Sequence, residues 1–332
     1  MTTPTIAVRD LTMQFDEVTA LDQLTLETPP GITGLVGANG AGKTTLMRIL
    51  LGLQQPTTGQ VAIHGHDVAT DPTAVRQRVG WMPEGDCLPG DIAAAEFVAH
   101  SARLAGLPPR AARLRASETL FLVGLEEERF RPIGDFSTGM TQRVKLAQAI
   151  VHDPDLVLLD EPASGLDPDG RIEMLALVRR LGEFGIDVLI SSHVLSDITA
   201  TSSWVVLLDR GTLLRNGPVT PDRATGTVVV EVLDRPDALV GHLTAQGVAV
   251  AADGVRLVVG PGSDDLEPTI VAAAAATGSG LVRMTREVAT LEDEFLAADA
   301  QRRTAAAQAA PEATADDTRP PPPPPPAEGS RR

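Results

Sequence analysis

The sequence predicts an α/β protein with a mainly parallel central sheet, a helical insertion and a small α+β domain towards the C-terminus. The first observation is that short apolar runs, which have the composition of buried strands, alternate with helical patterns. Such alternation is typical of parallel sheets covered by helices. The runs are residues 6–11, 32–36, 156–159, 188–191 and 205–208.

The second observation is a long helical segment between two of these runs. Residues 91–151 have mostly helical patterning, which is interrupted at residues 106–109 and at the Arg131-Pro132 turn. Glycine and proline end helices at such positions. We therefore expect residues 91–151 to be a helical insertion in an α/β domain that spans residues 1–220.

The third observation concerns residues 221–300, beyond a cluster of Asn, Gly, Pro and Asp at residues 216–226. Strand and helix patterns follow there in the order β-α-β-β-α-β, which predicts a ferredoxin-like accessory domain. The segments are residues 227–233, 236–245, 248–251, 255–259, 268–276 and 281–284, with a closing helix at residues 291–298. Residues 301–332 are rich in Ala, Asp and Pro, so we expect a disordered tail with a polyproline II stretch at residues 320–326.

Composition narrows the class of protein. The formal net charge of −16 argues against a nucleic-acid partner. No apolar run approaches the ~20 residues of a membrane-spanning helix, and residues 1–10 lack the pattern of a signal peptide. The single cysteine, Cys87, fits a reducing compartment and is interpreted as an ordinary loop residue. We expect a cytoplasmic protein.

Residues 37–45 carry the most specific motif of the chain, Gly-Ala-Asn-Gly-Ala-Gly-Lys-Thr-Thr, which fits the phosphate-binding pattern G-x-x-x-x-G-K-[ST]. The motif lies between a predicted strand and a predicted helix, as the pattern requires. An ordinary glycine-rich turn with a solvated lysine is the alternative, but Lys43 and Lys145 are the only lysines present. The predicted nucleotide contacts are Gly37, Ala38, Asn39, Gly40, Ala41, Gly42, Lys43, Thr44 and Thr45.

The chemistry of this loop follows from its composition. Glycines let the backbone turn so that its N–H groups face the phosphates, and the next helix adds its positive end. Lys43 is expected to reach the β- and γ-phosphates, and the Thr44 hydroxyl is expected to ligate Mg²⁺.

A second motif is the apolar run of residues 156–159, which ends in Asp160 and Glu161. In ATPases with such a loop, the Asp holds Mg²⁺ and the Glu polarises the attacking water. A buried strand with a capping acid is the alternative, and the loop at residues 37–45 makes it less favoured.

A third motif, residues 135–140, opens a predicted helix with Ser137 as its N-cap. Alone, Ser-x-Gly is only a good cap; beside a phosphate-binding loop it is a second phosphate-binding surface that includes Gly139. The helix has one apolar face and a polar side, which comprises Thr141, Gln142, Arg143, Lys145 and Gln148.

Over residues 6–217 these motifs, in this order, resemble the ATP-binding subunits of ABC transporters. The resemblance implies a P-loop NTPase fold with an ABC ATPase core, and ATP and Mg²⁺ as ligands. Residues 136–140 match the signature motif, whose serine and last glycine contact the γ-phosphate of ATP held by the other subunit. The other matches are Phe15 for the adenine-stacking aromatic, residues 79–83 for the approach to the Q-loop, residues 164–167 with Asp167 for the D-loop, and His193 for the switch histidine.

The resemblance implies Glu161, His193, Lys43 and Glu84 as catalytic residues, with Thr44, Glu84 and Asp160 as Mg²⁺ contacts. Glu84 stands where most of the family has glutamine, Thr138 replaces a glycine and Met140 replaces a glutamine. Similar signatures occur in the drug- and sodium-exporting branch.

The expected function is therefore that of an ATPase subunit that powers an exporter, for a drug, antibiotic or other small solute. Two copies would pair head to tail around two ATP molecules. The chain would lie at the inner face of the membrane on separate permease subunits, which contact it around residues 87–98. A soluble, non-transport ABC ATPase is the alternative, less favoured because the chain is acidic and has no coiled-coil insertion. A catalytically inactive regulatory binder is less favoured because Lys43, Asp160, Glu161 and His193 are all present.

Overall fold

The computed structural model describes residues 3–85, 88–219, 223–260 and 266–289. The described residues up to Val288 belong to one compact unit. Cys87, the predicted closing helix at residues 291–298 and the predicted disordered tail therefore lie outside the described residues. The boundary expected near residue 220 adjoins undescribed positions and stays a prediction.

The secondary structure alternates strands and helices, as expected. The strands are β1 (Ile6–Phe15), β2 (Val18–Thr28), β3 (Ile32–Val36), β4 (Thr58–Ile63), β5 (His66–Asp67), β6 (Val79–Met82), β7 (Leu156–Leu159), β8 (Asp187–Ser192), β9 (Trp204–Asp209), β10 (Thr212–Pro218), β11 (Arg223–Val232), β12 (Val250–Asp253), β13 (Arg256–Val259) and β14 (Leu281–Ala289). The helices are α1 (Lys43–Leu50), α2 (Pro72–Arg78), α3 (Ala94–Leu104), α4 (Pro109–Leu122), α5 (Thr138–Ile150), α6 (Pro168–Glu183), α7 (Leu195–Thr201), α8 (Pro236–Ala245) and α9 (Leu266–Thr277).

The central sheet has the strand order β10-β9-β3-β8-β7-β6. Strands β9, β3, β8, β7 and β6 are parallel, and only β10, which follows β9 through a short turn, is antiparallel to its neighbour. Strand β7 is buried along its whole length, as expected for a strand covered on both faces. The predicted parallel sheet is confirmed, and the carboxyl ends of β3, β6, β7 and β8 meet at one edge.

A second sheet, with the order β2-β1-β4-β5, is antiparallel. Residues 6–11 were expected among the parallel strands, and that prediction is wrong. Strand β2 follows β1 after only two residues, and so short a connection permits only an antiparallel hairpin. The core between the two sheets includes Leu11 and Leu24, Met47 and Leu50 from α1, and Leu158 from β7.

The helical insertion consists of α3, α4 and α5, placed between the neighbouring strands β6 and β7. Pro109 occupies the first turn of α4, where its missing N–H has no cost. Ala102, Ala112 and Ala116 are buried, and such small side chains allow the helices to approach closely. The helical insertion expected in the fold is present, whereas its expected bounds, residues 91–151, stay a prediction.

The C-terminal part of the compact unit has the element order β11-α8-β12-β13-α9-β14. Its sheet has the order β12-β13-β11-β14, with β13 antiparallel to both neighbours for which register is defined. This order is the one expected for a ferredoxin-like domain. A separate core that includes Val230, Leu243, Leu257 and Ile270 lies between the sheet and the two helices. Among the described residues, no helix combines the length and apolar character that a membrane span requires.

Candidate nucleotide-binding site

The phosphate-binding loop connects β3 to α1 at the carboxyl edge of the central sheet. Two glycines are required by its packing. A Cβ atom on Gly37 would lie 2.5 Å from the carbonyl oxygen of Leu208, and one on Gly42 would lie 2.8 Å from that of Ala20. Gly42 also has φ +101° and is the N-cap of α1, with no side-chain hydrogen bond to the first turn. The loop therefore leaves backbone N–H groups at a positive helix end, where anions bind.

Lys43 lies folded against its own loop. Its Nζ donates a hydrogen bond of 2.6 Å to the carbonyl of Gly37 and lies 3.7 Å from Oε1 of Glu161. The side chain is buried, so its positive charge is compensated by these oxygens and not by water. A phosphate in the adjoining cavity could take over these interactions.

Asp160, at the end of β7, joins three elements of the site. Its Oδ2 accepts a hydrogen bond of 3.0 Å from the Thr44 hydroxyl, and its Oδ1 accepts one of 2.7 Å from the Ser191 hydroxyl. Ser191 on β8 thereby fixes the orientation of the carboxylate. The two oxygens of Thr44 and Asp160 form a pair of hard ligands of the kind that Mg²⁺ prefers.

Glu161 has an unusual backbone conformation, with φ +50°. A residue with a side chain adopts this region at a cost of about 1 kcal/mol or more. Its N–H donates a hydrogen bond of 2.8 Å to Ser191 Oγ, which helps to hold the turn. Its Oε2 lies 2.9 Å from Nδ1 of His193. The Glu161 carboxylate is buried, whereas the His193 side chain is 55 % exposed.

Hydrogen bonds that involve Asp197 on α7 and Arg171 on α6 hold the loop that carries His193. Ser192 Oγ accepts a hydrogen bond of 3.0 Å from the N–H of Val194 and donates one of 3.4 Å to Asp197. Arg171 on α6 holds the same Asp197 carboxylate through two hydrogen bonds, of 2.8 and 2.6 Å. The hydrogen bond to Asp197 raises the pKa of Arg171 above its usual range. The histidine is thus tied to α6, which follows the predicted D-loop.

A cavity of about 780 Å³ lies at this edge, a volume suited to a nucleotide. It is lined by Val18, Thr19, Ala20, Ala38, Asn39, Gly40, Ala41, Gly42, Lys43, Thr44, Thr45, Glu84, Asp160, Glu161, Ser164, His193 and Arg210. The structure therefore brings together almost the whole loop, both acids, Glu84 and His193, as the sequence predicted.

Several functional candidates were missed in the sequence. Val18, Thr19 and Ala20 belong to β2, whose partly alternating apolar residues could have revealed a strand. Ser191, Arg171 and Asp197 carry no local signal, because they contact residues of other elements, and Arg210 lines the cavity from the turn between β9 and β10. Ser164 belongs to the predicted D-loop match, residues 164–167.

Gly37, at the start of the loop, does not line this cavity, and neither do four predicted site residues outside the loop. Phe15 ends β1, pairs with Val18 across the hairpin and is 43 % exposed. Ser137 caps α5 by accepting a hydrogen bond from the N–H of Met140, and Gly139 follows in the first turn. Asp167 caps α6 through the N–H of Gly170. The roles of these four residues stay predictions.

The cavity, with its glycine-rich loop, buried lysine and paired acids at parallel strand ends, defines a nucleotide-binding protein of the P-loop ATPase class. Residues 21–164 match the family model described as ABC transporter. The chain is 33 % identical over 298 residues to the daunorubicin resistance ATP-binding protein DrrA3 of Streptomyces coeruleorubidus, a match that covers 88 % of this chain and 91 % of that protein. The chain belongs to the family of ABC transporter ATP-binding proteins.

Two further comparisons agree with this assignment. The chain is 38 % identical over 215 residues to the bacitracin transport ATP-binding protein BcrA of Bacillus licheniformis. This match covers 64 % of this chain and 69 % of that protein. A solved structure described as the ATP binding subunit of an ABC transporter superposes with a TM-score of 0.59 at 27 % identity. That superposition covers 65 % of this chain and 90 % of the other. ATP hydrolysis coupled to transport is the activity of this family.

Proposed function

We propose that this chain is the ATPase subunit of an exporter and that two copies hydrolyse ATP as a head-to-tail dimer. The observation that carries the proposal is that Ser137 and Gly139 lie outside the cavity lined by the same chain's phosphate loop. Ser137 is exposed at the N-terminal end of α5, a helix end suited to phosphate. A second copy, related by a two-fold axis, would supply these residues to the first copy's ATP.

Each residue of the cavity then has a distinct role. The loop N–H groups and Lys43 hold the β- and γ-phosphates, and Thr44, Asp160 and Glu84 would hold Mg²⁺. When bound, the ion neutralises charge on the phosphate oxygens. Glu161 orients the attacking water and accepts its proton, and His193 holds Glu161 and the γ-phosphate oxygens. Catalysis is thus positioning and charge stabilisation.

The dimer can be tested by mixing two inactive variants. Lys43→Met disables the phosphate loop, and Gly139→Asp places a negative charge at the signature. In a mixed dimer, one site combines both defects, whereas the other combines the intact loop of the Gly139→Asp chain with the intact signature of the Lys43→Met chain. We expect phosphate release to recover to about half of the wild-type rate per mixed dimer, since one of two sites is rebuilt.

The controls follow from the structure. A Cβ atom on Gly139 meets only Leu166 Cδ2, at an ordinary 3.8 Å, so Gly139→Asp is expected to fold. Gly241→Asp, at an exposed position with no atom within 4 Å of its Cβ, is the matched control and should stay active. If mixtures of differently tagged variants form mixed dimers yet release no phosphate, the head-to-tail arrangement is wrong.

The direction of transport is inferred from the relatives. One is named for bacitracin transport and another for daunorubicin resistance. Transport protects a cell from a toxic compound only when it is directed outwards. The match to the resistance protein extends over 298 residues and so beyond the ATPase core. These points support export of a drug-like solute and separate permease subunits in the membrane, with this chain at their cytoplasmic face.

The helical insertion is the proposed contact with the permease. A groove of about 690 Å³ lies there, lined in part by Ile92, Ala95, Ala99 and Phe130. This contact was expected at exposed apolar positions around residues 87–98; within that segment, Val98 is fully buried. The groove is lined by Ile92 and Ala95, so part of the expected segment remains available.

Co-purification tests this contact. The chain is expected to retain membrane-embedded permease subunits when detergent extracts are fractionated. Ala95→Arg is expected to lower that retention at least tenfold, because a long side chain would fill the groove. Leu114→Arg, on an exposed position outside the groove, is the control. Recovery of the wild-type chain without any membrane protein would instead favour a non-transport ATPase.

A further inference from the structure

Lys145 is the most deeply buried charged residue among those that the structure describes. It lies in the middle of α5, is 1 % exposed and is one of only two lysines in the sequence. Lys145 and Gln142 were expected on a polar side of that helix, but both are buried, so that assignment was wrong. The segment that follows β6 covers Lys145, whereas Gln142 contacts the carbonyl of Ser164.

The ammonium group of Lys145 contacts the backbone of that segment. Its Nζ donates hydrogen bonds to the carbonyls of Pro83 at 3.0 Å, Glu84 at 2.9 Å and Gly85 at 3.3 Å. An ammonium group has three N–H donors, and three consecutive carbonyl oxygens lie within their reach. A leucine could fill the same volume without the cost of removing a charge from water, so packing alone does not explain a lysine here.

A second observation shows how closely α5 is joined to the same strand and loop. Gly80 on β6 lies directly under the helix, and a Cβ atom there would be 2.0 Å from the carbonyl oxygen of Ala149. Backbone therefore packs on backbone at Gly80, while Lys145 ties the next few residues to the helix. Both contacts fix residues 80–85 to α5.

Under the proposed function, the segment that contains Glu84 and the N-terminal end of α5 both contact nucleotide. Glu84 lines the phosphate cavity, and α5 begins at Ser137 and Gly139, which would contact the ATP of the second copy. Lys145 lies eight positions after Ser137, about 12 Å along the helix axis. A shift of the Glu84 segment would therefore be carried to the signature end.

We propose that Lys145 is a positioning residue for Glu84. By holding the carbonyls of residues 83–85, it keeps the Glu84 carboxylate at the phosphate cavity and couples that carboxylate to the signature end of α5. This inference rests on the proposed roles of Glu84 and of the signature. It assigns to the chain's second lysine a function that differs from that of Lys43, which touches the nucleotide itself.

The test compares Lys145→Met, which keeps the length of the side chain but removes its donors, with wild type. We expect the Mg²⁺ concentration for half-maximal ATPase activity to rise about tenfold, as when one charge-assisted contact is lost. Binding of a fluorescent ATP analogue without Mg²⁺ should change less than twofold, because the phosphate loop is untouched. ATP-dependent dimerisation in a Glu161→Gln background should weaken by a similar tenfold factor.

A double-mutant cycle distinguishes positioning from general damage. If Lys145 acts through Glu84, Lys145→Met should not shift the Mg²⁺ dependence further once Glu84→Ala, which removes the contacting group, is present. A full additional tenfold shift in that background would overturn the proposal, as would an unchanged Mg²⁺ dependence in the single variant. Gln148→Met, on the same helix, controls for altered packing of α5.

Two further measurements test the role of Lys145 if one of these variants does not fold or does not dimerise. Should Lys145→Met fail to fold, Lys145→Leu, which fills a similar volume and also lacks N–H donors, is measured in the same way, with the same two results overturning the proposal. Should the Glu161→Gln protein itself stay monomeric with ATP, the dimer proposed above fails, while the Mg²⁺ arm and the cycle still decide the role of Lys145.

Discussion

Replacement of Glu161 by glutamine is expected to stop ATP turnover and to leave ATP bound in a stable dimer. Glutamine has the shape of glutamate, so the contact with His193 Nδ1, now 2.9 Å from Oε2, can be kept. An amide, however, cannot accept a proton from the attacking water. Loss of a positioned general base costs roughly 10²- to 10⁴-fold in rate, so phosphate release should fall by at least two orders of magnitude.

The trapped dimer follows from the proposed arrangement of the two copies. ATP lies between one phosphate loop and the partner's signature, and only hydrolysis releases it. The exchange also removes a buried negative charge 3.7 Å from Lys43, next to where the γ-phosphate would lie. ATP should therefore bind at least as tightly as in wild type.

Light scattering during gel filtration with ATP measures this outcome directly. The Glu161→Gln protein should elute at twice the chain mass of 34.8 kDa, and the peak should contain intact ATP in a one-to-one ratio with protein. Glu183→Gln, which removes an exposed carboxylate from α6, should behave as wild type. Normal phosphate release by the Glu161→Gln protein would show that another group activates the water.

The sequence predicted those parts of the fold that depend on patterns of residues close together in the chain. Strands β3 and β7 were predicted with the observed bounds, because continuous apolar runs bounded by turn residues mark buried parallel strands. The phosphate loop was predicted because its glycines and lysine occur within nine residues. The small C-terminal domain was predicted from the order of its elements alone.

The parts that were missed depend on contacts between distant residues. The antiparallel sheet arises from pairing of β1 with β4, more than 40 residues away, and no local pattern specifies that partner. Likewise, Ser191 supports both Asp160 and Glu161 from a neighbouring strand, and Arg171 holds the His193 loop through Asp197. Lys145 was counted as rare but was placed on the wrong side of its helix, since the segment that covers it comes from another strand.

Lys43 is the residue whose loss should most affect binding of the nucleotide. Three carboxylates, those of Glu84, Asp160 and Glu161, line the phosphate cavity. Among the described residues that line it, Lys43 and Arg210 are the only lysine and arginine. ATP carries several negative charges, so removal of the Lys43 ammonium leaves those charges facing three carboxylates. Unlike the exposed Arg210, Lys43 is buried, and its charge is therefore poorly screened by water.

Lys43→Met is accordingly expected to weaken ATP binding by about 10- to 100-fold, the value of one charge-assisted hydrogen bond of roughly 1.5–3 kcal/mol. ATP stabilises the folded protein by binding to it. When the ATP concentration is far above both dissociation constants, a tenfold weaker affinity lowers this stabilisation free energy by about 1.4 kcal/mol. The rise in Tm on addition of ATP should shrink in proportion, and calorimetric titration gives the affinity itself. Arg48→Met removes an exposed positive charge from the same helix and should leave both measurements unchanged. Equal affinities of wild type and Lys43→Met for ATP would mean that the backbone N–H groups of the loop hold the phosphates without the lysine.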